Sequence, residues 1–288
     1  MKTGLQIRLM THADLSMADA LRARAGWNQT AKDWRRFLDL EPDGCFVAEW
    51  DRTVVATATT IAYGTDLAWI GMMLVHPDFR RRGIATALLQ HCIETMRGRG
   101  VRCIKLDATP EGQKVYERLT FAEELKLTRW EHAAIPSHPF NSKSTVRSYR
   151  ESDRDEMVKL DHFGFGVNRA KLVQTMAGDR ELALVVPSLH ADEIEGFGLL
   201  RAGARAHYLG PVTARNERAG LELLKALLAR VAGKKIFWDI PDQNVAATRV
   251  ARDWGFTAQR NLTRMFLGEN LAAGRPLNQF AIAGPEVG

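Results

Sequence analysis

The stretch that decides the fold is WIGMMLVHPDFRRRGIATALLQHCIETM, residues 69–96. Its first part, 69–75, is an almost continuous apolar run, which is typical of a strand buried on both faces. Pro77 cannot donate to a sheet ladder, so the strand should end just before it. Apolar residues then recur at helical spacing from Ile84 onward, and Gly83 stands where this helix should begin. The stretch predicts a strand, a short loop, a glycine and a helix.

The start of the predicted helix is a candidate anion site. A helix N-terminus presents unpaired backbone N–H groups and the positive end of the helix dipole. A pyrophosphate binds there when no bulky side chain blocks its approach. Gly83 and Ala85 provide small positions, and Arg80, Arg81 and Arg82 add positive charge. An ordinary buried strand–helix unit with solvent-facing arginines has the same spacing, so spacing alone leaves both interpretations open.

The hexapeptide RRRGIA (80–85) resembles the acyl-CoA-binding motif R/Q-x-x-G-x-G/A of the GNAT acetyltransferase superfamily. The preceding LVHPDFR resembles the strand end and loop that introduce this motif. The resemblance implies acetyl-CoA as cosubstrate, with its pantetheine arm beside the strand end and its pyrophosphate on the amides of the turn. The coenzyme-binding residues that it implies are Met73, Leu74, Val75, Arg80, Arg81, Arg82, Gly83, Ile84, Ala85 and Thr86.

The resemblance also implies a proton donor for the departing thiolate. In the GNAT fold the helix after the fifth strand often carries a tyrosine aimed at the coenzyme sulfur, and KVYERLTF places Tyr116 at that position. A phenol with a pKa near 10 stays protonated at neutral pH. Taken alone, Tyr116 also fits a tyrosine packed on a helix face. Thr120 replaces the glycine that usually ends this helix, and a left-handed cap would strain threonine, so the helix end should differ locally.

The sequence gives less information about the residues that would bind the acceptor amine. The run 69–75 contains no carboxylate, which excludes a base on that strand. Asp107 in KLDATP is a candidate to accept the amine proton or bind the ammonium group, although it also fits a loop-start or capping aspartate. A water chain would serve as well. Because the superfamily usually forms its acceptor pocket from the first two helices, Trp27, Asn28 and Trp34 are candidate substrate residues, with core packing as the alternative for both tryptophans.

An internal repeat organises the chain. Trp69-Ile70-Gly71 corresponds to Tyr208-Leu209-Gly210, and each half ends in strand, acid, loop, helix and phenylalanine. The segment 132–145 between the halves is rich in proline, serine and asparagine, which is typical of a linker. We therefore predict two units, 1–134 and 145–288, of the α+β class. By the resemblance they are tandem GNAT folds, each an α/β sandwich with a mixed, mostly antiparallel sheet flanked by helices.

The second unit is predicted to be degenerate. A constant offset from the first unit puts Glu222 at the position of Gly83, where a carboxylate would oppose anion binding. Near the end of the repeat, Ala251 takes the position of Tyr116. The segment PLNQFAIAGPEVG (276–288) is expected to pack back across the molecule.

Composition narrows the remaining classes. The formal charge is +6, but the basic residues are scattered without interleaved aromatics, so no nucleic-acid partner is expected. No apolar run reaches the length of a membrane span, and the N-terminus has no signal-peptide pattern. Cys45, Cys92 and Cys103 lack metal-ligand spacing, which predicts no metal site and reduced core thiols in a cytoplasmic protein. The oligomeric state is not readable.

We therefore expect an N-acetyltransferase that moves acetyl from acetyl-CoA to a primary amine of a small molecule, by direct attack in a ternary complex. Two alternatives remain open. The acceptor could be a protein lysine or N-terminus, or the chain could be a non-catalytic acyl-CoA-binding regulatory module.

Overall fold

A computed structural model describes residues 4–136, 145–188 and 193–288. The first half contains β1 (Leu5–Leu9), α1 (Leu15–Arg24), α2 (Ala31–Leu40), β2 (Cys45–Trp50), β3 (Thr53–Tyr63), β4 (Leu67–Val75), α3 (Ile84–Gly98), β5 (Cys103–Ala108), α4 (Pro110–Arg118) and β6 (Ala122–His132). The second contains β7 (Arg147–Ser148), α5 (Arg154–Phe165), α6 (Ala170–Gly178), β8 (Leu182–Pro187), β9 (Ile194–Arg201), β10 (His207–Ala214), α7 (Glu217–Ala229), β11 (Ile236–Pro241), α8 (Val245–Asp253), β12 (Thr257–Gly268) and β13 (Gln279–Ala281). None of the helices in these ranges is both long and apolar enough to cross a membrane.

Local sequence explains where the helices begin. Thr30 and Asp33 cap α2 reciprocally, because the Thr30 N–H donates to the Asp33 carboxylate at 2.7 Å. Thr109 caps α4 by accepting from the N–H of Gly112, and Pro110 occupies the first helical position. The apolar stripe predicted for α3 is buried against the sheet. The predicted strand, loop, glycine and helix of residues 69–96 are confirmed.

The strands form one continuous mixed sheet in the order β1-β2-β3-β4-β5-β12-β6-β11-β10-β9-β8-β7, with β13 added to β10. Among the strands of the described residues, only the β4–β5 and β10–β11 pairs are parallel. The predicted α+β class, with mostly antiparallel pairing and flanking helices, is therefore confirmed.

The last long strand of each half lies in the sheet of the other half. β12 pairs with β5 along Cys103–Ala108, while β6 pairs with β11 along Ile236–Pro241. β6 and β12 also pair with each other and join the two halves. The sequence predicted β6 in the first unit and β12 in the second, because a strand pattern does not specify which strand it pairs with. The two units are thus contiguous in sequence but interleaved in space.

The helices cover the sheet in three groups. α3 and α4 pack on one face of the first half, and α7 and α8 pack on the corresponding face of the second. The helices α1, α2, α5 and α6 share a single core that also takes in the 283–287 segment. Trp34, Trp69 and Phe165 belong to this shared core. All three cysteines are buried, as expected of core thiols.

Candidate active site

The cleft of the first half opens where β4 and β5 separate. These parallel strands pair only at Ala68 with Ile104 and at Trp69 with Lys105. Beyond that point they diverge, and a cavity of about 830 Å³ lies between them and the starts of α3 and α4. This volume is within the range of small-molecule and cofactor sites. The cleft is therefore large enough for a coenzyme arm together with a small acceptor.

The turn before α3 presents unpaired amides to this cavity. Arg81 and Gly83 both have positive φ, 61° and 78°, so the chain coils tightly before the helix begins. Within the described residues, the backbone N–H groups from Arg81 to Thr86 find no backbone acceptor. A Cβ on Gly83 would meet nothing within 4 Å, so the space in front of the turn is open. This cradle fits a pyrophosphate.

The three arginines of the turn are not equivalent. Arg80 and Arg81 line the cavity, and the Nε of Arg80 donates to the carbonyl of Val75 at 3.3 Å. The guanidinium of Arg82 lies 5.4 Å from the ring centroid of Trp50 and 5.1 Å from that of Phe79. Arg82 is therefore turned towards aromatic rings and is not among the residues that line the cavity.

The end of β4 supplies the other wall. Met72 has a φ of 48°, and the register with β3 shifts at this point, so β4 carries a bulge. Thr57 fixes the bulge by donating its hydroxyl to the carbonyl of Met72 at 2.8 Å. The bulge re-aims the strand, and Met73, Leu74 and Val75 then line the cavity beside Ile84, Ala85 and Thr86. The structure brings all of these predicted coenzyme residues together.

Tyr116 lies across the cavity from β4, on α4. Its ring packs at 6.0 Å from that of Phe121 and also lies close to Gly112, where an added Cβ would be 3.0 Å from a ring carbon. Burial raises the pKa of the Tyr116 phenol to about 12. The side chain is therefore held in place and remains protonated across the neutral and alkaline range.

The end of α4 keeps the left-handed cap despite its threonine. Thr120 has a φ of 65°, and the Phe121 N–H donates to the Tyr116 carbonyl at 3.1 Å. In the second half, Gly255 has a φ of 79° and Phe256 donates to Ala251 at 2.9 Å. The expected local difference is wrong, since both helices end alike. The first half instead holds a β-branched residue in a strained conformation.

Asp107 lines the cavity but is fully engaged. Its two carboxylate oxygens accept from Nε and Nη2 of Arg264, on the exchanged strand β12, at 2.9 and 3.1 Å. Burial raises the pKa of the Asp107 carboxyl and the guanidinium of Arg264 opposes that rise. Asp239 and Arg129 form the equivalent buried pair in the second half, at 2.7 and 2.5 Å. The structure thus gives Asp107 a partner that ties the two halves together.

The three predicted acceptor-side residues separate in the structure. Trp27 lines the cavity. Asn28 is buried beside the second half, where its amide binds the backbone of Arg205 and Ala206. Trp34 is fully buried in the shared core, edge-on to Phe37. Neither Asn28 nor Trp34 is among the residues that line the cavity.

Residues of the second half complete the acceptor wall, and sequence reasoning missed them. Arg260, Leu262, Pro285 and Glu286 line the same cavity as Tyr116. The expectation that 276–288 packs back across the molecule is confirmed, but its destination was not foreseen. Glu286 stands in a short polar turn without a motif, so only the long-range fold reveals its position. Gln29, in the loop before α2, also lines the cavity and was not predicted as a site residue.

The matching cleft in the second half is filled by its own chain. β10 pairs with β11 only from His207 to Leu209 and then pairs with β13, while the Ile282 N–H donates to the Asp239 carbonyl at 3.1 Å. Phe280 packs so tightly on Gly220 that an added Cβ would lie 2.2 Å from its ring. β13 therefore takes the space that is open in the first half.

The start of α7 also differs from that of α3, but not as predicted. The buried residues of α3 match those 135 positions further on, as Ile84, Leu88 and Leu89 match Ala219, Leu223 and Leu224. The equivalence of Gly83 with Glu222 is therefore wrong. Between the matched strand residues and the matched helix residues the second half is four residues shorter, so the constant offset fails there. Asn216 caps α7 and accepts from the Ala219 N–H at 2.9 Å, which satisfies an amide that a phosphate would need.

The open cleft has the parts of a coenzyme-dependent acyltransferase: a split between parallel strands, a helix start with free amides, and a phenol opposite. Residues 15–121 match the model described as Acetyltransferase (GNAT) family, and residues 157–281 match one described as Acetyltransferase (GNAT) domain. The chain belongs to the GNAT acetyltransferases, with two GNAT domains in tandem.

Known relatives agree with this assignment. Holothin acyltransferase of Pseudoalteromonas sp. is 24% identical over 249 residues, which cover 84% of this chain and 81% of the relative. An acetyltransferase of Sodalis glossinidius is 30% identical over 126 residues, covering 41% of this chain and 87% of its own. A crystal structure from Pyrococcus horikoshii superposes with a TM-score of 0.84 at 22% identity, covering 100% of this chain and 97% of its own. The tandem fold therefore extends over the whole chain.

Proposed function

We propose that this acetyltransferase moves acetyl from acetyl-CoA to a primary amine of a small molecule, by direct attack within a ternary complex. The observation that carries the proposal is one cavity that runs from the turn at Gly83, past Tyr116, to Trp27 and Gln29. The coenzyme and the acceptor can therefore bind next to each other within one cavity. Direct attack requires no covalent enzyme intermediate, and the three cysteines are buried away from it.

The roles follow from the walls of the cavity. The amides of 81–86 hold the pyrophosphate, with Arg80 and Arg81 adding charge, and Met73–Val75 flank the pantetheine arm. Tyr116 donates its phenolic proton to the thiolate that leaves the thioester. A donor must be protonated at working pH, and a pKa of about 12 satisfies this condition.

The second half favours a small acceptor over a protein. Arg260, Leu262, Pro285 and Glu286 form a wall on the acceptor side, which narrows the space available to a polypeptide. Holothin acyltransferase, which aligns over 84% of this chain, is named for holothin and not for a protein substrate. A protein lysine or N-terminus would instead require an open groove across this wall.

The test measures coenzyme binding and turnover separately. Calorimetry with acetyl-CoA should give a saturable binding isotherm. Thiol release should then depend on an amine when small primary amines are compared with peptides that carry a free N-terminus or lysine. Turnover with small amines and not with peptides supports the proposal. Turnover with peptides alone contradicts the acceptor class, and failure to bind acetyl-CoA contradicts the coenzyme assignment.

A further inference from the structure

We propose that Glu286, from the second half, is the carboxylate that binds the acceptor ammonium group and removes its proton in the cleft of the first half. This inference rests on the proposed function and assigns the base that β4 lacks. The residue lies in the segment that follows β13, so one segment both closes the second cleft and completes the first.

Glu286 reaches the point where β4 and β5 separate. Gly71 of β4 lies so close to it that an added Cβ would be 2.4 Å from the Glu286 carbonyl oxygen. Trp69 donates its indole N–H to the carbonyl of Pro285 at 3.0 Å, and Tyr63 donates its hydroxyl to that of Val287 at 3.0 Å. β4 has no carboxylate of its own, and its glycine lets one approach from outside. The segment is held firmly enough to position a side chain.

The carboxylate has a partner that is suited to an ammonium group. Gln29 donates its amide N–H to Glu286 Oε2 at 2.7 Å, while Gln29 Oε1 is buried without any partner among the described residues. Both residues line the cavity. An ammonium group donates only, so an unpaired amide oxygen beside a carboxylate supplies two acceptors for it. A buried acceptor without a partner is costly unless a ligand satisfies it.

The surroundings of Glu286 suit a base rather than a permanent anion. The side chain is buried, with the whole residue 7% exposed, and burial raises the pKa of its carboxyl while Arg201 opposes the rise. A carboxylate with a raised pKa accepts a proton more readily at neutral pH. The ionisable groups that face it from the elements packed around it are Asp33, Tyr63, Arg129, Arg201, Tyr208 and Arg260.

The step balances with these two side chains. Glu286 takes one proton from the ammonium group and leaves a neutral amine. The nitrogen lone pair forms the C–N bond, and the C–S bond breaks with its electron pair going to sulfur. Tyr116 gives its proton to the thiolate, and the second nitrogen proton returns to the phenolate. One proton in total leaves the site through Glu286, as conversion of an ammonium group to an amide requires.

The decisive variant is Glu286→Gln, which keeps the size of the side chain, with Glu269→Gln as an exposed control of the same chemistry. Thiol release is followed with ethylamine, glycinamide and putrescine from pH 6.5 to 10, and acetyl-CoA binding is measured by calorimetry. At pH 7.5, Glu286→Gln should release thiol about 100- to 10,000-fold more slowly, with unchanged acetyl-CoA affinity. The deficit should shrink towards the pKa of the amine, because a neutral amine needs no base.

Three results would overturn the assignment. These are a rate for Glu286→Gln within twofold of wild type, a deficit that does not change with pH, or a parallel loss of acetyl-CoA affinity.

If wild type binds acetyl-CoA but no amine reacts, the proposed function fails, and Glu286 is tested by a second measurement. Carbon NMR of glutamate-labelled wild type, assigned by the signal lost in Glu286→Gln, follows its carboxyl carbon. Titration above the ordinary glutamate pKa and a saturable shift with ethylammonium chloride support the site. An ordinary pKa, or no shift, overturns it.

Discussion

The two halves have the same fold, but the cleft between the parallel strands is open in the first half and filled in the second. In the first half the strands part beyond Trp69, and the opening stays free for a ligand. In the second half the strands part beyond Leu209, and β13 fills the opening. The free amides before α3 correspond to a short, asparagine-capped turn before α7. The split between the parallel strands is therefore filled by polypeptide in the second half and is open as a cavity in the first.

The second half also contributes residues to the cleft of the first half. The segment that fills the second cleft continues to Pro285 and Glu286 in the wall of the first. The predictions below test this division between an open and a filled cleft.

The largest effect on stability is expected from removing one partner of either buried ion pair that joins the two halves. Arg264→Met removes the ion-pair partner of the buried Asp107, and Arg129→Met removes that of the buried Asp239, which keeps its hydrogen bond from the Tyr208 hydroxyl. Each should lower the free energy of unfolding by about 3–5 kcal/mol. Chemical denaturation measures both. Because Asp107 lines the open cleft, Arg264→Met should also weaken acetyl-CoA binding, and equal binding by the two variants would contradict this asymmetry.

Tyr116→Phe tests whether the open cleft carries the donor. Removing the phenolic proton should lower kcat by about 100- to 10,000-fold without changing acetyl-CoA affinity. Because the pKa of the phenol is about 12, it stays protonated from pH 7 to 10, and kcat should fall by the same factor at every pH in this range. Tyr149→Phe, in the second half, is the matched control. A wild-type rate for Tyr116→Phe would remove the tyrosine from the reaction.

Gly83→Glu should convert the open anion site into a repelling one. A carboxylate at the helix start opposes the pyrophosphate, and we expect acetyl-CoA affinity to fall about 100-fold, or about 2.7 kcal/mol. Gly83→Ala shares the positive φ penalty but not the charge. It should cost stability of about 1 kcal/mol and leave affinity close to wild type. If both variants bind alike, the turn does not hold the pyrophosphate.

The smallest effect concerns the cap of α4. Thr120→Gly should raise the free energy of unfolding by about 1 kcal/mol, because glycine adopts a φ of 65° without strain. Gly255→Thr should lower it by a similar amount, since the nearest atom to an added Cβ is 3.5 Å away and space is not limiting. Thermal or chemical unfolding gives both values. The two variants should change the free energy of unfolding in opposite directions. A change in the same direction would contradict the strain argument.

The sequence was sufficient for features that depend on neighbouring residues. The apolar run 69–75, the glycine before α3 and the spacing of Tyr116 to Phe121 each follow from local patterns, and each lies where it was predicted. The repeat was visible for the same reason. The constant offset failed where the connections between matched elements differ in length, as before α7, because a change in loop length alters the numbering without disturbing the pattern on either side.

Features that depend on distant partners could not be read in this way. β6 and β12 carry similar strand patterns, so pairing within a half and exchange between halves satisfy the sequence equally. Glu286 gains its position from contacts with Gln29 and Gly71, both more than 200 residues away. Trp34 and Trp27 have the same local character, yet one lies in the core and the other in the cleft wall.

The exchanged strands have a consequence for the order of events during synthesis. β5 is made early, but its partner β12 comes more than 140 residues later, so the first sheet stays incomplete while most of the second half is translated. Such distant pairing slows folding and leaves strand edges exposed meanwhile. The first half therefore lacks β12, the Arg264 partner of Asp107 and the Glu286 side of its cleft until the second half has been translated.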